Sequence, residues 1–189
     1  ADPENVVTLL VFMLVAGIAS NLTARVRSQA IVARQRAATT EDLYRFSRKL
    51  AGIASLDDLL WATAYQVAHM LRLHVVLLLP RDEELEVRAG YPPEDTLDES
   101  DLAAAKWAFQ HGQEAGRGAD TLPGARRLFL PMRTGEGLVG VVGLLRDREQ
   151  LLSPDERRLL DALIEATALA VERGRLAERI EEAQARAQA

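Results

Sequence analysis

Hydrophobic and polar positions divide the chain into three stretches. From Asn5 to Ala24 no position is charged, and Val6 to Ala19 is apolar nearly all round. A helix of about 20 residues reaches about 30 Å, the thickness of a bilayer core. The pattern predicts a transmembrane helix over residues 5–24, because a helix buried in a globule ordinarily keeps a polar stripe. A signal peptide would carry basic residues first, whereas here Asp2 and Glu4 precede the apolar run and the arginines follow it. Arg25, Arg27, Arg34 and Arg36, with no acidic residue before Glu41, predict a basic juxtamembrane helix over 25–38. Basic residues on that flank mark the cytoplasmic side and suit contact with anionic lipid.

The middle stretch, 39–172, reads as a mixed unit. Thr39 to Ala51 places Leu43, Phe46 and Leu50 at helical spacing. Ser55-Leu56-Asp57-Asp58 starts a second helix, with Leu59, Leu60, Ala64, Val67, Ala68 and Leu71 on one broad face. His74 to Leu79 is a short apolar run stopped by Pro80, the pattern of a buried central strand. After a turn at Arg81 to Glu84, Leu85 to Ala89 alternates like a strand with one wet face. Gly90 to Leu97 reads as loop. Asp98 then caps a helix from Glu99 to His111, and a glycine-rich loop runs from Gly112 to Gly124. Leu128 to Arg133 and Gly137 to Leu145 are two more strands, joined by a turn at Thr134 to Gly137. The expected class is α+β: an antiparallel sheet with helices mostly on one face, flanked by long N- and C-terminal helices. Strand pairs joined by such short turns exclude a doubly wound nucleotide fold.

The helix that closes the middle stretch and runs on into the last, 173–189, opens on Ser153-Pro154-Asp155-Glu156, a serine cap with proline at the first helical position and glutamate three residues on. Leu159, Leu160, Leu163, Ile164, Ala166, Leu169 and Ala170 suit a helix lying on a domain. Beyond Glu172 the apolar pattern thins to Leu176 and Ile180. A tail that polar needs a partner helix, so 173–189 is expected to be an exit helix. Leu43, Phe46, Leu50, Leu163, Ala170, Leu176 and Ile180 are expected in helix-to-helix contacts, some of them between the subunits of a homodimer formed through the N- and C-terminal helices.

Composition narrows the chemistry. Charged residues make up 27% and hydrophobic ones 48%, and the net charge of −5 argues against nucleic acid as a partner. Cysteine is absent, which excludes disulfides, thiolate metal sites and cysteine nucleophiles. His69, His74 and His111 are the only histidines; none lies in a catalytic or metal-binding pattern, and a lone histidine near apolar sequence is ordinarily a packed or surface residue. Gly116-x-Gly118 and Gly135-x-Gly137 lack the Lys-Ser/Thr of a phosphate loop. No catalytic residue, metal or cofactor is expected.

The helix pair, the hairpin, the strand Gly137-Leu138-Val139-Gly140-Val141 and the closing helix behind Ser153-Pro154-Asp155-Glu156 resemble a GAF domain. Trp107 to Gln113 and Gly116 to Gly124 resemble the corresponding segment of KdpD sensor histidine kinases, and Ser20 to Arg27 resembles the end of that family's last transmembrane helix. The resemblance implies a GAF-like domain on the cytoplasmic side of the inner membrane, after four transmembrane helices. A dimerisation helix bearing the phospho-accepting histidine and an ATP-binding domain would follow. Members of that family control expression of a high-affinity potassium pump by phosphorylating a response regulator. Here no histidine box or ATP-lid motif occurs, the last histidine being His111. The chain is therefore expected to be a non-catalytic sensory and relay region, with its exit helix leading to a missing dimerisation domain and the response regulator reached only through the missing kinase part.

The alternative is a GAF domain that binds a nucleotide or metabolite as its signal. Receptor GAF domains hold ligands between the sheet and the helix-plus-loop that covers it, here Glu99 to Gly124. Trp107 and His111 are four apart and share a helix face. Arg117, Asp120 and Thr121 lie in the glycine-rich loop, where backbone can approach a ligand closely. Trp107, His111, Arg117, Asp120 and Thr121 are thus the candidate ligand residues, with Arg117 as an anion clamp. The competing reading makes Trp107 a core aromatic and the Arg117–Asp120 region a salt-bridged loop. Bilin attachment and methionine-sulfoxide reduction need the cysteines this chain lacks. Of the cyclic-nucleotide GAF pattern only Asp155-Glu156 survives, with Arg146-Asp147 and Leu152 at the earlier places.

Overall fold

The computed structural model describes residues 13, 41, 44–50, 52–53, 55–82, 84–93, 96–146 and 152–188. The expected span over 5–24 and the basic helix over 25–38 lie outside the described residues, Met13 apart. Among the described residues no helix is long and apolar enough to cross a membrane. Of two compact units, Ala1–Asp42 and Leu43–Ala189, the second holds the sheet and the helices packed on it.

Residues 44–50 are helical (α1). Then come α2 (Leu56–Leu71), β1 (His74–Arg81), β2 (Glu84–Tyr91), α3 (Glu99–His111), β3 (Ala115–Gly116), β4 (Leu128–Thr134), β5 (Gly137–Leu145) and α4 (Pro154–Gln188). The five strands form one sheet in the order β2-β1-β5-β4-β3, every pair antiparallel. Each expected helix start is made by its own cap. Ser55 Oγ accepts from Asp58 N at 3.5 Å, and Asp98 accepts from Asp101 N at 2.8 Å. Ser153 and Glu156 close a reciprocal box, Ser153 N donating to Glu156 at 2.8 Å and Glu156 N to Ser153 Oγ at 3.3 Å.

Alternation along β1 sorts the core into two layers. Val75, Leu77 and Leu79 face α1, α2 and α4, packing with Phe46, Leu60 and Leu163. Val76 and Leu78 face α3, packing with Ala104, Ala105 and Ala108. Three helices therefore cover one face of the sheet and α3 covers the other. In β2 the alternation changes phase: Leu85 and Val87 face α3, yet Ala89 and Tyr91 face α2. Pairing with β1 slips between Leu77 and Leu78, opposite Ala89 and Val87, so Arg88 is an extra residue in a β-bulge.

Strand ends differ from the sequence reading in several places. β1 continues through Pro80 to Arg81, because β5 pairs with it only as far as Leu78 and proline's missing N–H costs nothing on that side. β2 runs on to Tyr91, which pairs with Val75. The predicted glycine-rich loop contains β3, a two-residue strand on the edge of β4 that is too short to leave a periodic signal. In β5, a Cβ on Gly143 would lie 2.6 Å from both Phe129 Cε1 and Val76 Cγ2. Glycine there leaves room for the Phe129 ring, which is fully buried.

Candidate functional site

The cover that α3 and the following loop form over the sheet is fastened at one buried carboxylate. Ala104, Ala105 and Ala108 are fully buried and bring α3 close to the strands. Asp101, on the same helical face, is also fully buried. One of its oxygens accepts from Arg126 N at 2.8 Å and Arg127 N at 3.1 Å, and the other accepts from the Arg127 guanidinium. A buried carboxylate is tolerable only with such charge-assisted donors around it. The same segment is closed by backbone bonds from Arg117 N to Arg127 O at 2.9 Å and from Gly116 N to Thr121 O at 2.8 Å. Gly116 has φ 100°, and a Cβ there would meet Arg127 O at 2.1 Å, so no other residue fits without moving backbone.

Among the described residues, none of the five candidate ligand residues lines either of the two clefts described below. Trp107 and His111 do meet: their rings stack at 4.2 Å and 11°, and His111 Nδ1 lies 3.0 Å from Trp107 O. Trp107 is half-buried against the α3-side core, while His111 is exposed. Arg117 Nη1 donates to the Arg146 carbonyl at 3.0 Å, so its guanidinium is engaged by the chain itself. Thr121 contributes its carbonyl to the turn, and Asp120 is exposed. Among the described residues, Asp101 and Arg127 form an ion pair in this region. Phe129 and the three alanines are fully buried in one cluster on the α3 side of the sheet.

A second polar centre ties the loop to the rest of the domain. The Arg146 guanidinium grips Glu156 with its two terminal nitrogens, Nη2 at 2.8 and Nη1 at 3.2 Å, and Nη2 also donates to the carbonyl of Leu71. Leu71 O belongs to the last turn of α2, where a carbonyl lacks a helical partner and a cation is favoured. Arg146, with the Ser153 amide behind it, holds the Glu156 carboxyl at about 2, well below its usual 4.5.

Two clefts are lined by other residues. One, of about 300 Å³, lies between Gly112–Glu114, Arg133 and α4; there Arg157 pairs with Glu114 at 2.8 Å and Asp161 at 3.0 Å. The other is a groove of about 760 Å³ along α1, α2 and α4, lined by Leu50, Leu59, Ala166, Leu169, Ala170 and Ala177 among others. Among the described residues no three acidic or histidine side chains converge as a metal set.

Sequence reasoning missed Asp101, Arg127 and the role of Arg146. Asp101 had a readable signal, since it sits four and seven positions before Ala105 and Ala108 on the apolar face of α3. Arg146 stood out only as a departure from the cyclic-nucleotide pattern.

The sheet order, the cover on one face and the three helices on the other are those of a sensory domain class, and comparison with known proteins agrees. The GAF domain family matches residues 55–173, and the chain belongs to it. The chain is 36% identical to sensor protein KdpD of Escherichia coli (strain K12) over 181 residues, covering 92% of this chain and 19% of that protein. It is 24% identical to sensor protein KdpD of Clostridium acetobutylicum over 179 residues, covering 91% and 20%. The crystal structure of the native GAF domain of potassium sensor histidine kinase KdpD from E. coli superposes with a TM-score of 0.62 at 31% identity, covering 75% of this chain and 99% of that one. The GAF domain here is thus of the KdpD type. The chain spans about a fifth of the length of the curated relatives it matches.

Proposed function

We propose that this chain is the non-catalytic relay region of a membrane-bound sensor histidine kinase that governs a potassium response, with the GAF domain on the cytoplasmic side. One observation carries the reading. α4 is a single helix of 35 residues whose first half is packed on the sheet, while Leu176 and Ile180 further along are 52% and 57% exposed. They stand four apart on one face, beyond the apolar groove along α1, α2 and α4. Such a seam suits pairing with α4 of a second copy, so that a change of packing in the domain alters the pairing of the exit helices. The basic segment 25–38 would meet anionic lipid, and the response regulator would be reached through the kinase part of the parent protein.

The complete burial of Ala104, Ala105, Ala108 and Phe129 between α3 and the sheet supports relay over reception of a small molecule. Sedimentation of the parent chain and of the double variant Leu176→Glu, Ile180→Glu tests the reading. A dimer for the parent and a monomer for the variant are expected; equal association states overturn helix pairing. A thermal-shift screen with nucleotides, potassium and small acids, repeated on Trp107→Ala and Arg117→Ala, tests the receptor alternative. A ligand-dependent rise in Tm that both substitutions abolish would replace relay by reception.

A further inference from the structure

The glycine-rich loop and the first turn of α4 do not merely lie in the same domain. Both end on one residue. Arg146 directly follows β5, and its carbonyl accepts from Arg117 Nη1 at 3.0 Å. Its guanidinium, at 12% exposure, grips Glu156 at 2.8 and 3.2 Å and the Leu71 carbonyl of α2. Glu156 in turn caps α4 through Ser153 N at 2.8 Å. Arg117 therefore reaches Glu156 through Arg146. Arg117 itself is held in the loop by its N–H on Arg127 O at 2.9 Å, next to the buried Asp101–Arg127 pair.

We infer that Arg146 is a positioning residue that couples the cover formed by α3 and its loop to the start of the exit helix. A shift of the loop moves Arg117, releases the Arg146 backbone and loosens the guanidinium's hold on Glu156 and Leu71. The α4 cap and the α2 end then slacken together. A planar guanidinium suits this work because it can hold a carboxylate in two-point contact and still donate to a carbonyl; an ammonium is a point donor without that fork. The inference rests on the relay reading, and it names the internal route by which the cover would act on α4.

Amide hydrogen exchange on the 189-residue chain tests it, read at the first turn of α4, where Glu156 N is bonded to Ser153 Oγ and Arg157 N to Ser153 O. In Arg117→Ala, exchange at that turn should rise about fivefold or more, while exchange around Thr167 in the middle of α4 stays unchanged. Arg117→Lys, which can still donate to the Arg146 carbonyl, should restore protection. Arg146→Lys should loosen the same turn, and adding Arg117→Ala in that background should change nothing further. Unchanged exchange in Arg117→Ala, or a rise spread evenly along α4, overturns the coupling. So does an equal rise when Arg117→Ala is placed in the Arg146→Lys background. These readouts concern a single chain, whereas the association state of the Leu176 and Ile180 variant tests the relay reading; either can fail alone.

Discussion

The carboxylate of Asp101 and the guanidinium of Arg127 form an ion pair with 0% and 4% of their side chains exposed, joining residues 26 positions apart. Two backbone amides complete the carboxylate's shell. Asp101→Asn keeps an acceptor for those amides but leaves the arginine charge buried without its counter-charge. Urea unfolding should show a loss of about 3 kcal/mol, and Asp101→Ala should lose more, because the amides are orphaned as well.

Acid should weaken the Arg146–Glu156 grip. The folded-state value of Glu156 lies at about 2, below its usual 4.5, because Arg146 and then the Ser153 amide favour the carboxylate. A depressed carboxyl stabilises the fold above its unfolded value and loses that contribution as pH falls from about 4.5 through about 2. The Glu156 side chain is 34% exposed, so screening limits the effect. Glu156→Gln should cost about 1 kcal/mol at neutral pH, and the two stability curves should converge in that acid window. Urea midpoints measured across the range will show whether they do.

Space for the Phe129 ring should be testable at Gly143. Gly143→Ala places a methyl 2.6 Å from the ring and should cost about 1–3 kcal/mol by overpacking. Gly124→Ala, where a Cβ meets nothing within 4 Å, should stay within about 0.5 kcal/mol of the parent. Thermal melts of the two variants make the comparison.

Leu176 and Ile180 should separate association from folding. Both are more than half exposed, so replacing them with glutamate should leave the unfolding free energy of the single chain within about 0.5 kcal/mol. Denaturant melts at protein concentrations too low for association will read this term apart from any dimer contribution.

The legible parts of the fold were those set by local chemistry. Ser55, Asp98 and Ser153 announce their helices because each cap is made within three residues. The apolar run from Val75 to Leu79 marks a central strand because both its faces are buried. What escaped was decided by distant partners. Pro80 read as a stop because pairing on one side of β1 cannot be seen in its own sequence. Ala115–Gly116 pairs with Leu128 and Phe129 across a loop of 11 residues. In the candidate site, the bond from Arg117 Nη1 to the Arg146 carbonyl, 29 positions away, is likewise invisible in the local sequence. The stacking of Trp107 on His111 was readable, since their spacing alone brings them together.

The extra residue at Arg88 decides where the far end of the outermost strand points its aromatic. With it, the Tyr91 ring lands 5.1 Å from Tyr65, edge to face, and 5.2 Å from His69, knitting the rim of the sheet to the outer flank of α2. A chain one residue shorter at that place would turn Tyr91 toward the opposite face of the sheet, away from α2. Insertions and deletions near Arg88 are thus felt as a choice of side, and the aromatic clasp on α2 exists only at this count of residues.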